Sequence, residues 1–447
     1  MKKFIFILSI LLVSSSLWAY DFTKSNFYYD IDTITKTAII VDYEDSNLDI
    51  FGRLAIYQEF TYNGEIYTVT TIGDNAFSLC HNIKSVLIPS TITKIGKKAF
   101  YECSNLEQIS HFYSFTSVGE GALDNTLWLS YQPDGCVYFG NHLYKYKGEM
   151  PANSSIIVTD GTLSICSFAF ELCDNLINVT LPNSLKLIDK YAFSGCESLA
   201  SITIPNSVDS IAIMAFIGCK SLINVELNSS LKLLKSNVFS YCTALSSIDL
   251  TYITNIEFGA FTGCSSLKSV VFGDSLSVID KYAFMNCENL NRLIFPASLD
   301  SIGQSAFHGC SGIEYMEVQA TTPPRINENT FDGVNREIEF IVPTEAQDAY
   351  ASHKYWKVFM GGKDDTSYKN INDESKNVYY AQQNQTLYFN IDNPIAVIIY
   401  DVNGKKVVNR KLSESTKAIS LDLNAGIYIV NISTDNQQSI RTKIMMK

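Results

Sequence analysis

Apolar residues recur along most of this chain with a fixed period. Residues 189–208 read DKYAFSGCESLASITIPNSV: an Ala-Phe pair, a cysteine three residues after the Phe, and then an alternating aliphatic run. Nearly the same motif recurs at residues 212–230 and 281–298. From Cys173 to Cys310 the successive cysteines are 23, 23, 23, 22, 23 and 23 residues apart. A period of 20–29 residues with this Leu/Ile spacing indicates a leucine-rich repeat solenoid.

The Phe-x-x-Cys word, with small variations, occurs at Phe77/Cys80, Phe100/Cys103, Phe170/Cys173, Phe193/Cys196, Phe216/Cys219, Phe239/Cys242, Phe261/Cys264, Phe284/Cys287 and Phe307/Cys310.

The aliphatic run of each repeat alternates like a half-buried strand. Ile202 and Ile204 point to one side, whereas Ser201 and Thr203 point to the other. A single strand cannot hide its apolar side, so we expect parallel stacking of the repeats around a core that includes the repeated Phe and Cys. A proline is expected to end the strand, at Pro89, Pro182, Pro205 and Pro296.

The full unit, L-x-x-I-x-x-x-A-F-x-x-C-x-x-L-x-x-I-x-I-P-x-S, resembles the BspA-type leucine-rich repeat of bacterial cell-surface proteins. The resemblance covers about residues 68–320 and implies attachment of bacteria to host proteins or to other cells. Residues 110–160 depart from the pattern, and an inserted hairpin is expected at about 131–160. The sequence leaves open whether this insertion is decoration or a contact surface.

The regions beside the repeats have the composition of caps and a linker. Residues 20–67 predict a β-rich N-terminal cap, with a hairpin turn at Asn63 and Gly64. Residues 321–360 predict a C-terminal cap, and the polar residues 361–376 predict a linker. The aromatic residues expected to close the last repeat are Tyr350, Trp356 and Phe359.

After the linker the pattern changes to longer alternating strands, which predict a small C-terminal β-sandwich at 377–447. The words YDVNGK at 400–405, GIY at 426–428 and a final strand with Lys443 resemble the C-terminal sorting domain of proteins exported by the type IX secretion system. That resemblance implies handling by the type IX machinery and display on the outer cell surface. An ordinary adhesive β-sandwich module is the alternative.

The first 19 residues have the order of a secretory signal peptide. Two lysines precede an apolar run at 4–13, and small residues lead to Ala19. Export through the inner membrane is therefore expected, and an uncleaved anchor is the alternative. The net charge of −12 argues against a nucleic-acid partner, which would favour a basic surface.

No catalytic, cofactor-binding or metal-binding residues are predicted. The five histidines share no metal-ligand spacing, and there is no H-E-x-x-H, nucleophile elbow or phosphate-binding glycine loop. We therefore expect a monomeric binding protein that needs no cofactor, and not an enzyme. Nine of the 11 cysteines fall in the repeat and are expected to be buried thiols; Cys136 and Cys166 are the likelier disulfide pair.

The candidate ligand surface is the row of strand residues that point away from the core. Six such strands, from Asn178 to Arg292, would span about 24 Å, the scale of a peptide or oligosaccharide. The candidate contact residues are Asn224, Glu226, Asp249, Arg292, Tyr315 and Glu317. The predicted function is adhesion to a host extracellular or bacterial surface protein or glycan. The alternative is a surface module that captures glycan or peptide for nutrient uptake, and the row is also compatible with a merely solvated face.

Overall fold

The computed structural model describes residues 21–24, 26–44, 52–111 and 115–360, and in the tail 378–381, 386–389, 394–402, 404–413, 418–421, 423, 426–434 and 439–446. The predicted signal peptide and linker lie outside the described residues. The chain divides into two compact units: residues 1–150, 158–170 and 182–192 form the first, and residues 151–157, 171–181 and 193–447 the second. The predicted boundaries of caps, solenoid and tail stay predictions.

Both units contain the parallel-sheet solenoid that the repeat predicts. Each turn supplies one strand to a sheet of three- to five-residue strands, here called the long-strand sheet, and a two-residue strand to a second sheet, here called the short-strand sheet. The Ala-Phe-x-x-Cys segment forms turns that close the third side. In the part of the chain that the structure describes, no helix is both long and apolar enough to cross a bilayer.

In the first unit, the N-terminal β region continues directly into the short-strand sheet. The strand Thr37–Tyr43 pairs in parallel with Glu65–Ile72, which pairs in turn with the first short strand, Lys94–Ile95. The predicted hairpin at Asn63 and Gly64 is confirmed, with positive φ at both residues. This sheet consists of Phe22–Lys24, Phe27–Asp32, Thr37–Tyr43, Glu59–Tyr62, Glu65–Ile72, Lys94–Ile95 and Ser117–Val118.

The long-strand sheet of the first unit has three parallel strands, Arg53–Ala55, Ser85–Ile88 and Gln108–His111. The strand Ser85–Ile88 ends immediately before Pro89, as predicted, and the chain turns there with a hydrogen bond from Ile92 N to Pro89 O.

The second unit repeats this arrangement over more turns. Its long strands are Ser154–Ile157, Leu176–Thr180, Ser201–Thr203, Asn224–Glu226, Ser247–Leu250, Ser269–Phe272, Arg292–Phe295, Tyr315–Val318 and Glu339–Ile341. Its short strands are Ser210–Ile211, Leu233–Leu234, Asn255–Ile256, Val278–Ile279 and Ser301–Ile302.

The core of the second unit is the aromatic column that the repeated Phe predicts. Six consecutive ring pairs, from Phe193 to Phe331, stack with centroids 5.0–5.7 Å apart. Each Phe of this column from Phe193 to Phe307 is fully buried. Since each ring contacts the rings of both neighbouring turns, the column joins the turns into one continuous core.

The cysteines of the repeat form a second ladder beside the rings. The thiol of Cys219 donates to Phe193 O at 3.1 Å, and Cys242, Cys264, Cys287 and Cys310 repeat this contact one turn further each, at 3.0–3.2 Å. Burial raises the pKa of Cys219 and of Cys264 to about 12. The Cys219 and Cys264 thiols therefore stay protonated at neutral pH, and the burial of the five ladder thiols is as the sequence predicts.

The insertion forms a hairpin that belongs to the solenoid wall. It comprises the helix Leu127–Tyr131 and the antiparallel strands Gly135–Phe139 and His142–Lys147. The second strand pairs in parallel with the short strand Ser164–Ile165, which pairs with Leu187–Ile188. Phe139 is fully buried and stacks on Phe115 at 5.0 Å. The hairpin therefore takes the place of a regular short strand and is not surface decoration.

The predicted disulfide between Cys136 and Cys166 is wrong, because both are thiols. Cys136 lies half-buried on the first hairpin strand, opposite Tyr146, whereas Cys166 follows the strand Ser164–Ile165. The strand His142–Lys147 runs between them in the sheet. Two strand spacings amount to about 9–10 Å, which exceeds the Cα separation of about 5.5–6 Å that a disulfide usually requires.

The last turn is closed by the aromatic cluster that the sequence predicts. Tyr350, Trp356 and Phe359 are buried, and the Trp356 ring packs on Phe331 with centroids 5.4 Å apart. The Trp356 indole donates to Pro324 O at 2.8 Å. Tyr350 lies in the helix Gln347–Ser352, which follows the 3-10 helix Thr344–Ala346, Phe359 lies in the helix Lys357–Met360, and Trp356 lies in the turn between these two helices.

The tail forms the predicted β-sandwich. One sheet has three strands, Val378–Ala381, Thr386–Phe389 and Ala418–Ser420. The other has four strands in the order Lys406–Lys411, Pro394–Asp401, Gly426–Thr434 and Ser439–Met446. Leu387 from the first sheet and Val397 and Val430 from the second share one buried core.

Candidate functional site

The candidate residues lie on the outer face of the long-strand sheet in the second unit, in the register that the repeat predicts. Ser201 pairs with Asn224 and Thr203 with Glu226, and all four side chains are exposed while Ile202 and Val225 are buried between them. Further along the sheet the paired outward positions are Ser247/Ser269, Asp249/Val271, Ser269/Arg292, Arg292/Tyr315 and Ile294/Glu317. Whether these residues contact a ligand stays a prediction.

Three of the candidates surround one cleft. Asn224, Glu226 and Asp249 line a depression of about 300 Å³, together with Ser247 and Tyr252. This volume lies at the lower end of the range for sites that hold a small group. The cleft therefore suits one side chain or one sugar residue of a larger ligand.

The two carboxylates of the cleft are oriented by their neighbours. Glu226 Oε2 accepts a hydrogen bond from Thr203 Oγ1 at 3.0 Å. Asp249 Oδ1 accepts from the backbone N of Thr251 at 2.9 Å and from its Oγ1 at 2.5 Å. Because these bonds hold the carboxylates in fixed positions, less conformational entropy is lost when a ligand binds them.

Tyr252 is a cleft residue that the sequence reasoning missed. Its side chain is 52% exposed, and the ammonium of Lys232 lies 5.5 Å from its ring centroid. It lies in the turn that follows the strand Ser247–Leu250. In other repeats this turn begins with a proline, such as Pro205. The departure from the repeat was visible in the sequence, but only the fold shows that the ring borders the cleft.

Arg292, Tyr315 and Glu317 form a separate cluster on the same face. The Arg292 guanidinium lies 3.6 Å from the centroid of the Tyr315 ring, and the Tyr315 hydroxyl donates to Glu317 Oε2 at 2.7 Å. Tyr315 is only 6% exposed, because its neighbours cover the ring. Arg292 and Glu317 are half-buried, so they are the members of the cluster that remain partly accessible to solvent, whereas the ring is covered.

The geometry of the face suits noncovalent binding. Among the described residues, no group of three or more His, Cys, Asp and Glu side chains could hold a metal ion. Carboxylates, an amide, a hydroxyl and an aromatic ring are the groups that the cleft offers to a ligand.

Comparison with known families agrees with this architecture. The profile of the BspA type Leucine rich repeat region matches six copies, at residues 24–150, 140–252 and 233–350. The chain belongs to the BspA-type leucine-rich repeat family. The tail of this BspA-type protein, residues 378–447, matches the secretion system C-terminal sorting domain. That domain indicates handling by the type IX secretion machinery and delivery to the cell surface or the extracellular space.

Solved structures similar to this BspA-type protein are also leucine-rich repeat proteins. A leucine rich cell surface protein from Faecalibacterium prausnitzii is 23% identical, with 66% of this chain and 94% of that chain covered and a TM-score of 0.30. A leucine-rich repeat protein from Bacteroides ovatus is 22% identical, with 72% and 91% covered and a TM-score of 0.28. One from Eubacterium ventriosum is 19% identical, with 69% and 97% covered and a TM-score of 0.39. No curated protein matches the chain.

Proposed function

We propose that this BspA-type protein is a surface adhesin that binds a macromolecule through the outer face of its long-strand sheet. The observation that carries the proposal is the cleft beside Tyr252, where an exposed ring and the Glu226 and Asp249 carboxylates converge. Exposed aromatic residues often anchor protein interfaces, and paired carboxylates favour a basic partner group. The repeat scaffold and its protonated thiols support a binding role and not an enzymatic one.

The partner that this chemistry favours is a protein segment that carries lysine or arginine. The chain has a net charge of −12, so long-range attraction would also favour a basic partner. An arginine seated in the cleft would pair with a carboxylate and stack on the Tyr252 ring.

Glycan or peptide capture for nutrient uptake is the second candidate, and the same cleft favours it. A sugar could pack on the Tyr252 ring while its hydroxyls donate to Asn224 and Asp249. A basic protein partner and a neutral glycan differ in salt dependence, because only the charged contact is screened by salt.

The test measures attachment of the full-length protein to immobilised extracellular matrix proteins and to a glycan array. The double variant Asp249→Asn with Tyr252→Ala should bind at least tenfold more weakly than the unchanged protein, about 1.4 kcal/mol, with the same melting temperature. The matched control, Asp274→Asn with Tyr131→Ala, removes an exposed acid and an exposed ring elsewhere and should bind normally.

Salt-sensitive binding to a matrix protein that is lost only in the cleft variant would support adhesion. Salt-insensitive binding to a glycan, with no matrix protein bound, would favour the capture function. Equal binding by the cleft variant and the unchanged protein would contradict the cleft as the contact site.

A further inference from the structure

A second concave surface lies in the first unit, on the outer face of the short-strand sheet. Strand pairing places Ile39, Thr71, Lys94 and Ser117 in one row across four strands. A groove of about 810 Å³ runs along this row, and its opposite bank is formed by residues around Lys186. Its volume is within the range of well-formed ligand sites.

The hairpin of the insertion explains why a groove exists here. In the register of the sheet, His142 takes the outward position beside Ser164 and Leu187. Its imidazole is nevertheless fully buried, with Nδ1 2.6 Å from Ser164 Oγ and Nε2 2.9 Å from Phe115 O. No residue of the strand His142–Lys147 lines the groove, so the groove lies over a turn whose outward side chain is turned inward.

The lysines and the acids that line the groove differ in their partners. Lys94 on one bank and Lys186 on the other are exposed, and neither makes an ion pair in the part of the chain that the structure describes. The lining acids instead accept hydrogen bonds from the protein itself. Asp74 Oδ1 accepts from Lys97 N at 2.8 Å, and Asp189 Oδ2 accepts from Ser167 Oγ at 2.7 Å.

One ionic contact involves Lys97, which lines the groove. The Glu120 carboxylate lies 3.0 Å from Lys97 Nζ and 3.1 Å from Lys190 Nζ. One carboxylate is thus shared by two lysines, whereas Lys94 and Lys186 have no carboxylate partner among the described residues. Two exposed cations in the lining of one groove favour a ligand with more than one negative charge.

The groove between the banks is aliphatic. Ile39, Val41 and Leu187 line it beside the hydroxyls of Thr71 and Ser117, and none of its described lining residues is aromatic. Sugar rings pack best on aromatic faces, so this lining favours aliphatic side chains over a polysaccharide. We propose that the groove between Lys94 and Lys186 binds an extended peptide segment in which acidic and aliphatic residues alternate.

The test uses the full-length protein and a fluorescein-labelled array of heptapeptides in which Asp or Glu alternates with Val, Ile or Leu, read by fluorescence anisotropy at low salt. The same peptides with Lys at the acidic positions serve as the ligand control. The double variant Lys94→Glu with Lys186→Glu should weaken acidic-peptide binding at least tenfold. The matched control Lys268→Glu with Lys357→Glu changes the net charge equally at exposed sites outside the groove and should bind within twofold of the unchanged protein.

Three outcomes would overturn the proposal. One is that no acidic peptide of the array binds. Another is equal weakening by the groove variant and its control, which would mean that net charge alone attracts the peptides. The last is that an oligogalacturonate, and not a peptide, binds in a manner that depends on Lys94 and Lys186, which would show that the groove takes an acidic glycan. Melting temperatures of both double variants establish that they are folded.

Discussion

Each turn of the solenoid contains a backbone position that strains an ordinary residue. The residue immediately before the repeated Cys has a positive φ in both units, whatever its side chain. The residues at this position are Leu79, Glu102, Leu172, Gly195, Gly218, Tyr241, Gly263, Asn286 and Gly309, and Asn125 has a positive φ at the equivalent place, where Thr126 replaces the Cys. An L-residue in the left-handed region costs roughly 1–2 kcal/mol, so the positions without Gly store strain that packing offsets.

Tyr241 allows this strain to be measured, because its φ is 60° and its side chain is 54% exposed. Both Tyr241→Gly and Tyr241→Ala remove the ring, but only Gly relieves the strained φ. We expect the Gly variant to be the more stable by about 1 kcal/mol in urea unfolding. At Lys268, which is exposed and lacks a positive φ, the order of the same two substitutions should reverse. An Ala variant of Tyr241 at least as stable as the Gly variant would contradict the assigned conformation.

The aromatic column predicts a large cost for a single truncation. Phe216 is fully buried and stacks on Phe193 at 5.2 Å and on Phe239 at 5.5 Å. Phe216→Ala should lower the free energy of unfolding by about 3–5 kcal/mol, because it opens a cavity shared with both neighbouring turns. Phe258→Ala, which truncates an exposed aromatic residue, is the control and should lower the free energy of unfolding far less. A thermal melt unchanged by Phe216→Ala would mean that the ring is not in the core.

At the scale of elements, the hairpin of the insertion shows how the solenoid tolerates an irregular repeat. The wall needs a short strand with a buried aliphatic residue at this turn, and Leu143 fills that slot beside Ile165. The Tyr144 hydroxyl accepts from Leu123 N at 2.9 Å and donates to Asp124 Oδ1 at 2.8 Å. The segment around Leu123 lacks the Phe and the Cys of the repeat, and it is held instead by these hydrogen bonds from the hairpin.

The buried histidine of the hairpin predicts a pH dependence. Burial lowers the pKa of His142, and its hydrogen bond with the Phe115 carbonyl opposes that shift only in part. Because the folded pKa lies below the unfolded value of about 6.5, the unfolded chain binds the proton more readily. The contribution of His142 to stability is therefore present above pH 6.5 and is lost as the pH falls through 6.5 toward the folded pKa.

Urea unfolding of the protein at pH 7.5, 6.5, 5.5 and 5.0 measures this contribution. His142→Gln should flatten the decline by up to about 1.4 kcal/mol per pH unit, the effect of one proton. His81→Gln, at an exposed histidine, controls for the substitution itself. If His142→Gln and the unchanged protein lose stability in parallel, protonation of His142 does not destabilise the fold.

At the scale of the whole molecule, the tail has a core of its own. Leu387, Val397, Ile399, Val430 and Ile432 are fully buried within the sandwich. A compact sorting domain with its own core can serve as a unit that is recognised separately from the cargo it accompanies.

Deletion of residues 377–447 should therefore abolish surface display and leave the solenoid folded. Surface labelling of a bacterium with type IX secretion, compared with circular dichroism of the purified remainder, measures the two effects separately. Fusing 377–447 behind a fluorescent protein with the N-terminal 19 residues tests sufficiency, and the fusion should reach the surface. Normal display of the truncated protein would contradict the sorting role.

The sequence by itself determined the repeat architecture, because a 22- to 23-residue period leaves one way to bury an alternating strand, which is against copies of itself. The same period gave the register of the outward row, since equal spacing aligns Ser201 with Asn224 and Arg292 with Tyr315. It also predicted the Tyr350, Trp356 and Phe359 cap, because an open core must end in large apolar side chains.

Only the tertiary structure decided what the departures from the repeat do. The period carries no information about residues that break it, so the role of Tyr252 and the strand supplied by His142–Lys147 depend on contacts between distant parts of the chain. Exposure was likewise decided in three dimensions: Tyr315 points outward by register, yet the Arg292 guanidinium lies over its ring. The separation of Cys136 from Cys166 by an intervening strand follows from the sheet order and not from their spacing in the sequence.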